Sequence, residues 1–217
     1  LRAAAKNFAH VAAVSQPAQY KEVAEALRRG HSQLPDTMTQ QLAVIAFQLT
    51  STYDTRICRY LTSPGSPASA AGPIGPGHTT PDVATVSLRK RQGLRYGENP
   101  HQQGAWYVPA ETPALGLGTL SQLQGKELSY NNLLDLNAAL RCLLDFTEPT
   151  CVIVKHHSPC GAASVATVQQ AYERASGCDP ESAFGGVVGF NRPLGAAQAR
   201  QLTATFLEVI KAPSLEP

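Results

Sequence analysis

Apolar residues recur at helical and strand-like spacings along most of the 217-residue chain. Between residues 36 and 61 they return every three or four positions, which predicts one long amphipathic helix. Alanine-rich residues 1–10 favour a helix by intrinsic propensity. Residues 11–14 predict a short buried strand, and residues 18–29 predict a further helix that Gly30 ends.

Strand and helix signals alternate along residues 94–217, which indicates an α/β layer architecture. The signals are, in chain order, a strand at 103–108, a helix at 132–146, a buried strand from 151, a helix at 167–176, a helix at 195–204 and a strand at 207–211.

The stretch from residue 62 to residue 93 interrupts this pattern. Ser, Pro, Gly, Ala and Thr dominate it as far as Pro81, and no apolar periodicity survives. We therefore expect a first segment at 1–61, a Pro/Gly/Ser-rich linker at 62–93 and a second segment at 94–217.

Composition narrows the class of protein. Hydrophobic residues make up 43% of the chain and charged residues 16%, as in globular proteins. The net charge is +2 and the basic residues are scattered apart from residues 89–91, so nucleic acid is not the expected partner. No apolar run of about 18 residues and no leader pattern occurs, which predicts neither a membrane span nor a secretory signal. The start without Met and the stop at Pro217 suggest a piece of a longer protein.

The five cysteines form no CxxC pair and leave an odd count. This pattern argues against a disulfide framework and against a thiolate metal site. We expect reduced thiols, which fit a cytoplasmic protein.

The most suggestive chemistry follows the apolar run that begins at Cys151, which ends in Lys155 and His156. Polar groups at the carboxyl end of a buried strand lie where open α/β sheets place their ligands. An ammonium and an imidazole could together move a proton and stabilise developing negative charge. The alternative is that both side chains merely cap the strand end in solvent.

Three other stretches combine polar side chains with tight backbone. Residues 94–102 hold a cation, a phenol, an amide and an imidazole around Gly and Pro. This combination suits the binding of an anion or a heterocycle, and the alternative is an ordinary surface turn. Asn131 and Asn132 could cap the following helix or line a pocket. Gly185 and Gly186 allow close approach by a ligand or by a neighbouring strand.

Common cofactor and metal signatures do not account for these residues. Neither a GxGxxG motif nor a Walker loop occurs. His156, His157 and Cys160 could suggest zinc, but the HxE and PCxxC pattern of zinc deaminases is missing, so we predict no metal. Cys160 could act as a nucleophile, although a small buried cysteine in a turn explains it more simply.

Five motifs in this order resemble the bifunctional purine biosynthesis family that joins AICAR transformylase to IMP cyclohydrolase. The resemblance spans nearly the whole chain apart from the Pro/Gly-rich stretch. The motifs are RAAAKN at 2–7, LRYGENPHQ at 94–102, GKELSYNN at 125–132, VKH with SPCG within 154–161, and SAFGG with FNR within 182–192.

The resemblance implies a fold for each segment. Residues 1–61 would be the last part of an IMP cyclohydrolase domain with a methylglyoxal-synthase-like α/β fold. Residues 94–217 would be the first part of a transformylase domain built from cytidine-deaminase-like units without zinc. Both domains would be incomplete.

The resemblance also implies catalytic roles. Lys6, in RAAAKN, would assist ring closure in the cyclohydrolase. In the transformylase, His156 would accept a proton from the attacking amine and Lys155 would stabilise the transition state.

Four further residues match substrate-binding positions of the family. Arg95 and Tyr96 would bind the substrate nucleotide, and Gly185 would contact the substrate. Glu208 falls where the family places an acidic substrate contact, although Lys211 departs from the usual apolar residue of that motif.

The implied function is de novo purine biosynthesis in a cytoplasmic homodimer. Formyl transfer from 10-formyltetrahydrofolate, a co-substrate, would convert AICAR to FAICAR, which then closes to IMP. The folate residues would follow Pro217, so we expect the 217 residues alone to be inactive. The alternatives are a non-catalytic nucleotide-binding or dimerisation module, and a truncated sequence with no role of its own.

Overall fold

The computed structural model describes residues 1–62, 83, 85–110 and 112–215. The chain divides into two compact units, Leu1–Ser87 and Leu88–Pro217. Most of the predicted linker, residues 63–82 and 84, lies outside the described residues. No helix among the described residues is long and apolar enough to cross a bilayer.

The described residues of the first unit form three α-helices and one turn of 3₁₀-helix at Pro17–Gln19. The helices are α1 at Arg2–Lys6, α2 at Tyr20–Arg29 and α3 at Asp36–Thr62. The long helix predicted at 36–61 is thus confirmed, whereas the first predicted helix is only five residues long. An exposed ion pair joins helix α1 to α3, with the Arg2 guanidinium 2.8 Å from the Asp54 carboxylate.

The strand predicted at residues 11–14 is wrong. No strand forms among the described residues of this unit, so this segment has no ladder partner for its backbone groups. Ala13 is instead buried in a core of small residues between the helices. The fully buried members of that core are Ala5, Ala13, Ala43 and Ala46.

The second unit begins with an antiparallel pair of strands, β1 at Leu88–Leu94 and β2 at Gly104–Pro109. The linker prediction was therefore wrong for residues 88–93. Strand β1 is polar and largely exposed, and a bulge between Lys90 and Gln92 breaks its alternation, so no apolar period marks it. Arg91, at that bulge, places its guanidinium 5.0 Å from the centre of the Trp106 ring.

The main sheet has four strands in the order β4-β3-β5-β6. They are β3 at Thr150–Lys155, β4 at Ser158–Ser164, β5 at Val187–Phe190 and β6 at Val209–Lys211. Strand β3 is antiparallel to both neighbours, and only β5 and β6 are parallel. Lys155 and His156 consequently follow an antiparallel strand rather than a strand of an open parallel sheet.

Helices cover both faces of this sheet, which confirms the α/β architecture. They are α4 at Tyr130–Leu143, α5 at Val168–Cys178, α6 at Pro180–Ala183 and α7 at Ala196–Leu202. Cys151 and Ile153 of β3 pack towards α5, whereas Val152 and Val154 pack towards α4. All four side chains are fully buried. Alternate residues of β3 thus pack into two separate hydrophobic cores, one on each face of the sheet.

Gly161 lets α5 lie directly against β4. A β-carbon on this glycine would fall 2.0 Å from the backbone oxygen of Ala175, far inside van der Waals contact. Since the obstacle is backbone, no side-chain rotation relieves it.

We therefore expect Gly161→Ala to lower the free energy of unfolding by about 1–3 kcal/mol, because α5 must move away from the sheet. Gly177→Ala is the matched control, since its β-carbon would meet no atom within 4 Å. Alanine in helix α5 should be neutral or stabilising by up to about 1 kcal/mol. Urea unfolding of both variants measures the difference, and equal midpoints would contradict the prediction.

Candidate functional site

The turn between β3 and β4 carries the predicted lysine and histidine. Lys155 pairs with Ser158, so His156 and His157 form a two-residue hairpin loop. Their φ angles are +53° and +67°, as in a type I′ turn, in which Asn-Gly is the usual sequence. Non-glycine residues in this region store about 1–3 kcal/mol of strain each. The surrounding structure must therefore hold the turn.

Lys155 links this turn to the segment that follows α6. Its Nζ donates a 2.7 Å hydrogen bond to the backbone oxygen of Phe184. The side chain is half-buried, and its ammonium thereby lies beside the residue that precedes Gly185.

Gly185 adopts φ +69°, a conformation that glycine enters without strain. Its amide donates to the backbone oxygen of Phe206 at 2.8 Å, and the Phe184 and Phe206 rings lie 5.7 Å apart between centroids. Both rings are more than half exposed, at 57% and 56%. The Glu208 amide donates to the backbone oxygen of Gly186 at 3.0 Å, which brings Glu208 to the same place.

Arg95 completes the cluster through an ion pair. Its guanidinium lies 3.1 Å from the Glu208 carboxylate, and each side chain is about one-third exposed, at 32% and 33%. The hydrogen bond to Glu208 raises the pKa of Arg95, against the lowering effect of desolvation. The guanidinium also lies 5.0 Å from the centre of the Tyr96 ring and 3.4 Å from its hydroxyl.

Backbone hydrogen bonds join the first two polar motifs of this unit. The Arg95 amide donates to the Leu128 oxygen at 2.9 Å, and the Tyr130 amide donates to the Tyr96 oxygen at 3.1 Å. Two stretches about thirty residues apart in sequence are thereby fixed to each other. This arrangement sets the positions of Arg95 and Tyr96.

The capping prediction for helix α4 is confirmed for Asn132. Its side-chain oxygen accepts from the Ser129 amide at 3.0 Å, while the Ser129 hydroxyl accepts from the Asn132 amide at 3.1 Å. Both side chains are buried in this reciprocal cap. Asn131 instead donates to the backbone oxygen of Glu98 at 3.1 Å.

Five of the seven predicted site residues are joined by hydrogen bonds within the second unit, directly or through chain neighbours. They are Arg95, Tyr96, Glu208, Gly185 and Lys155. His156 is the exposed residue that directly follows Lys155. Lys6 lies in the first unit, exposed at the last residue of α1.

Two contributors were not found from the sequence. The Asp135 carboxylate accepts the His157 amide at 2.8 Å, and the Phe184 backbone oxygen accepts the Lys155 ammonium. Asp135 sits among the apolar residues of α4, where a polar residue ordinarily faces solvent. No local signal connects it to a turn 22 residues away.

Cys160 has a structural position in β4 rather than in a turn. The register shifts between Ile153 and Val154, which leaves Cys160 as the bulged residue. Its thiol donates to the Ile153 oxygen at 3.6 Å. Burial raises the pKa of the Cys160 thiol, so less of the nucleophilic thiolate forms. The described residues contain no group of three His, Cys, Asp or Glu that could hold a metal.

The gathered groups combine two cations, one paired with a carboxylate, with apolar rings in one α/β domain. Arg95 and Lys155 supply positive charge, and the exposed Phe184 and Phe206 rings supply an apolar surface. The imidazole of His156 follows directly after Lys155 in the turn.

Comparison with known proteins identifies the family. The model of the family described as "AICARFT/IMPCHase bienzyme" matches residues 4–217. The chain therefore belongs to that bifunctional family, as its motifs indicated. Curated relatives named "Bifunctional purine biosynthesis protein PurH" are 46% identical in Anaeromyxobacter dehalogenans, 45% in Xanthomonas campestris and 44% in Nostoc punctiforme. The whole chain is covered in each comparison, but it spans only about 40% of each relative's length.

All five cysteines are free thiols, and their environments predict an order of reactivity. Burial raises the pKa values of Cys142, Cys151 and Cys160, whereas Cys58 and Cys178 are exposed. We expect iodoacetamide at pH 8 to alkylate the two exposed cysteines first, because the buried thiols form less thiolate and are less accessible. Peptide mapping by mass spectrometry over a time course measures the order. Labelling of Cys160 as fast as Cys178 would revive the nucleophile hypothesis.

Proposed function

We propose that this chain forms part of an enzyme of de novo purine biosynthesis that transfers a formyl group to AICAR and closes FAICAR to IMP. The observation that carries the proposal is the set of hydrogen bonds that gathers Arg95, Glu208 and Lys155, in a chain that a bienzyme family matches over residues 4–217. Because the chain spans about 40% of its relatives' length, the two activities are proposed for the whole protein.

The second unit would hold the nucleotide part of the transformylase site. Arg95 and Tyr96 would bind the substrate nucleotide, and the Glu208 carboxylate fixes the direction of the guanidinium and favours its charged form. Gly185 has no side chain, so the substrate would be able to approach its backbone closely. The exposed phenylalanine rings beside it would pack against the heterocycle.

In the proposed formyl transfer, a base accepts the proton of the attacking amine, and a cation stabilises the oxyanion that forms at the formyl carbon. The amine nitrogen of AICAR would attack the formyl carbon of 10-formyltetrahydrofolate, forming a C–N bond while His156 accepts the amine proton. Lys155 would stabilise the oxyanion of the tetrahedral intermediate. Collapse of that intermediate breaks the bond from the carbon to N10, which takes up a proton as tetrahydrofolate leaves. Lys155 suits this role because a backbone oxygen already orients its ammonium.

Lys6 would serve the second reaction in the first unit. Its position at the carboxyl end of α1 favours a positively charged side chain. It would assist ring closure of FAICAR to IMP.

We also propose a methylglyoxal-synthase-like fold for the cyclohydrolase domain and a zinc-free, cytidine-deaminase-like fold for the transformylase domain. We further propose a cytoplasmic homodimer that requires neither metal nor nucleic acid.

A non-catalytic nucleotide-binding or dimerisation module is the second candidate. The observation that favours it is coverage, because the chain spans about 40% of its relatives' length. Such a module would keep the nucleotide contacts of the second unit without turnover.

Nucleotide binding by the chain itself tests the proposed half-site. We expect AICAR to bind in isothermal titration calorimetry, and Arg95→Ala or Lys155→Ala to weaken binding about tenfold or more, because each removes a charge-assisted contact. Arg89→Ala and Lys90→Ala, which remove exposed cations of β1, are the matched controls and should leave the affinity unchanged. Equal affinity in all four variants, or no binding at all, would count against the half-site.

The complete protein that carries this stretch tests the two activities separately. We expect His156→Ala to slow formyl transfer on the order of 10²- to 10⁴-fold while FAICAR cyclisation continues, because only the first reaction uses this base. Lys6→Ala should slow cyclisation and spare formyl transfer. Tetrahydrofolate release and IMP formation, followed by absorbance, report the two steps. Loss of both activities in either variant would show that the roles are not separate.

A further inference from the structure

The histidine turn needs an external contact to keep its conformation. His156 and His157 both adopt positive φ, a region that non-glycine residues seldom occupy, although histidine does so more often than most. Within the described residues, the His157 amide has one hydrogen-bond acceptor, the Asp135 carboxylate at 2.8 Å. A carboxylate acceptor makes a stronger bond than a neutral one.

Both residues of this hydrogen bond belong to or directly follow buried secondary structure. Asp135 lies one turn into α4, after the buried cap of Ser129 and Asn132, and its neighbour Leu136 is buried. On the other side, the turn continues directly from β3, whose Val154 side chain is fully buried. The bond therefore ties the turn to a fixed helix rather than to a loop.

The direction of the His156 side chain depends on the type of the turn. A two-residue hairpin can adopt type I′ or type II′, and these differ in the φ and ψ angles of its central residues. A change of turn type would redirect the imidazole although the strands stay paired. A misplacement of about 1 Å at a reacting group can lower a rate about 100-fold.

We propose that Asp135 is a positioning residue: by accepting the His157 amide, it holds the hairpin in the type I′ conformation that directs His156 for proton transfer. The part concerning proton transfer rests on the proposed function. The part concerning the turn rests on the structure of the second unit alone.

Three variants separate this role from a general structural one. Asp135→Ala removes the acceptor, and Asp135→Asn keeps an acceptor oxygen of the same size. The double variant Asp135→Ala/His157→Gly restores a residue that favours positive φ without restoring the hydrogen bond. Asp145→Ala, an exposed carboxylate just beyond the end of the same helix, is the matched control.

Amide hydrogen exchange of the chain gives the first readout and needs no activity. We expect the His157 amide to exchange on the order of tenfold faster in Asp135→Ala, with slower exchange regained in Asp135→Asn. The amides of β3 should be unaffected. Unchanged exchange at His157 would overturn the proposal, as would a uniform loss of protection along the sheet.

Steady-state kinetics of the complete protein give the second readout. We expect Asp135→Ala to lower kcat for formyl transfer about 10- to 100-fold with KM for AICAR nearly unchanged. Asp135→Asn and the double variant should recover most of the lost rate, with His157→Gly as the reference. A kcat in Asp135→Ala equal to that of the unsubstituted protein would overturn the positioning role, as would failure of the glycine to rescue it. If the unsubstituted protein transfers no formyl group, the proposed function fails, and the exchange data still decide the role in the turn.

Discussion

Burial of strand β3 on every side is the constraint on which the second unit depends. Helices α4 and α5 cover its two faces, and β4 and β5 pair with its two edges. Its side chains can therefore neither rotate outward nor shift register without emptying one of the two cores. Lys155 ends this strand and His156 follows it, so the packing of the whole unit fixes the position of their backbone.

Distant parts of the chain converge on that point through both backbone and side-chain contacts. Gly185 is set by its amide bond to Phe206, and Glu208 by its amide bond to Gly186. The side-chain ion pair between Arg95 and Glu208 then closes the group. A partly exposed ion pair of this kind contributes on the order of 1 kcal/mol or less to folding, so its importance lies in the orientation of the guanidinium.

The elements that could be predicted from the sequence are those with strong periodicity of their own. Helix α3 carries recurring apolar residues from 38 to 61, over about six turns, and β3 is a compact β-branched run. Strand β1 could not be predicted because its residues are basic and its alternation is broken by a bulge. Residues 11–14 look like a strand but find no partner, since strand formation depends on a neighbour that local sequence does not encode.

The candidate site divides in the same way. Lys155, His156 and Arg95 stand in conspicuous polar motifs, so chemistry and family resemblance drew attention to them. Asp135 sits within an ordinary helical stripe, and its contact with His157 arises only when α4 packs on the sheet. The contact between Lys155 and the Phe184 oxygen could not be predicted from the sequence for another reason: every residue has a backbone carbonyl, so the sequence does not single one out.

That contact separates two properties of one residue. Because the ammonium of Lys155 donates to the backbone oxygen of Phe184, the acceptor stays in place whatever side chain stands at position 184. The ring adds apolar surface beside the lysine, while the carbonyl orients the ammonium.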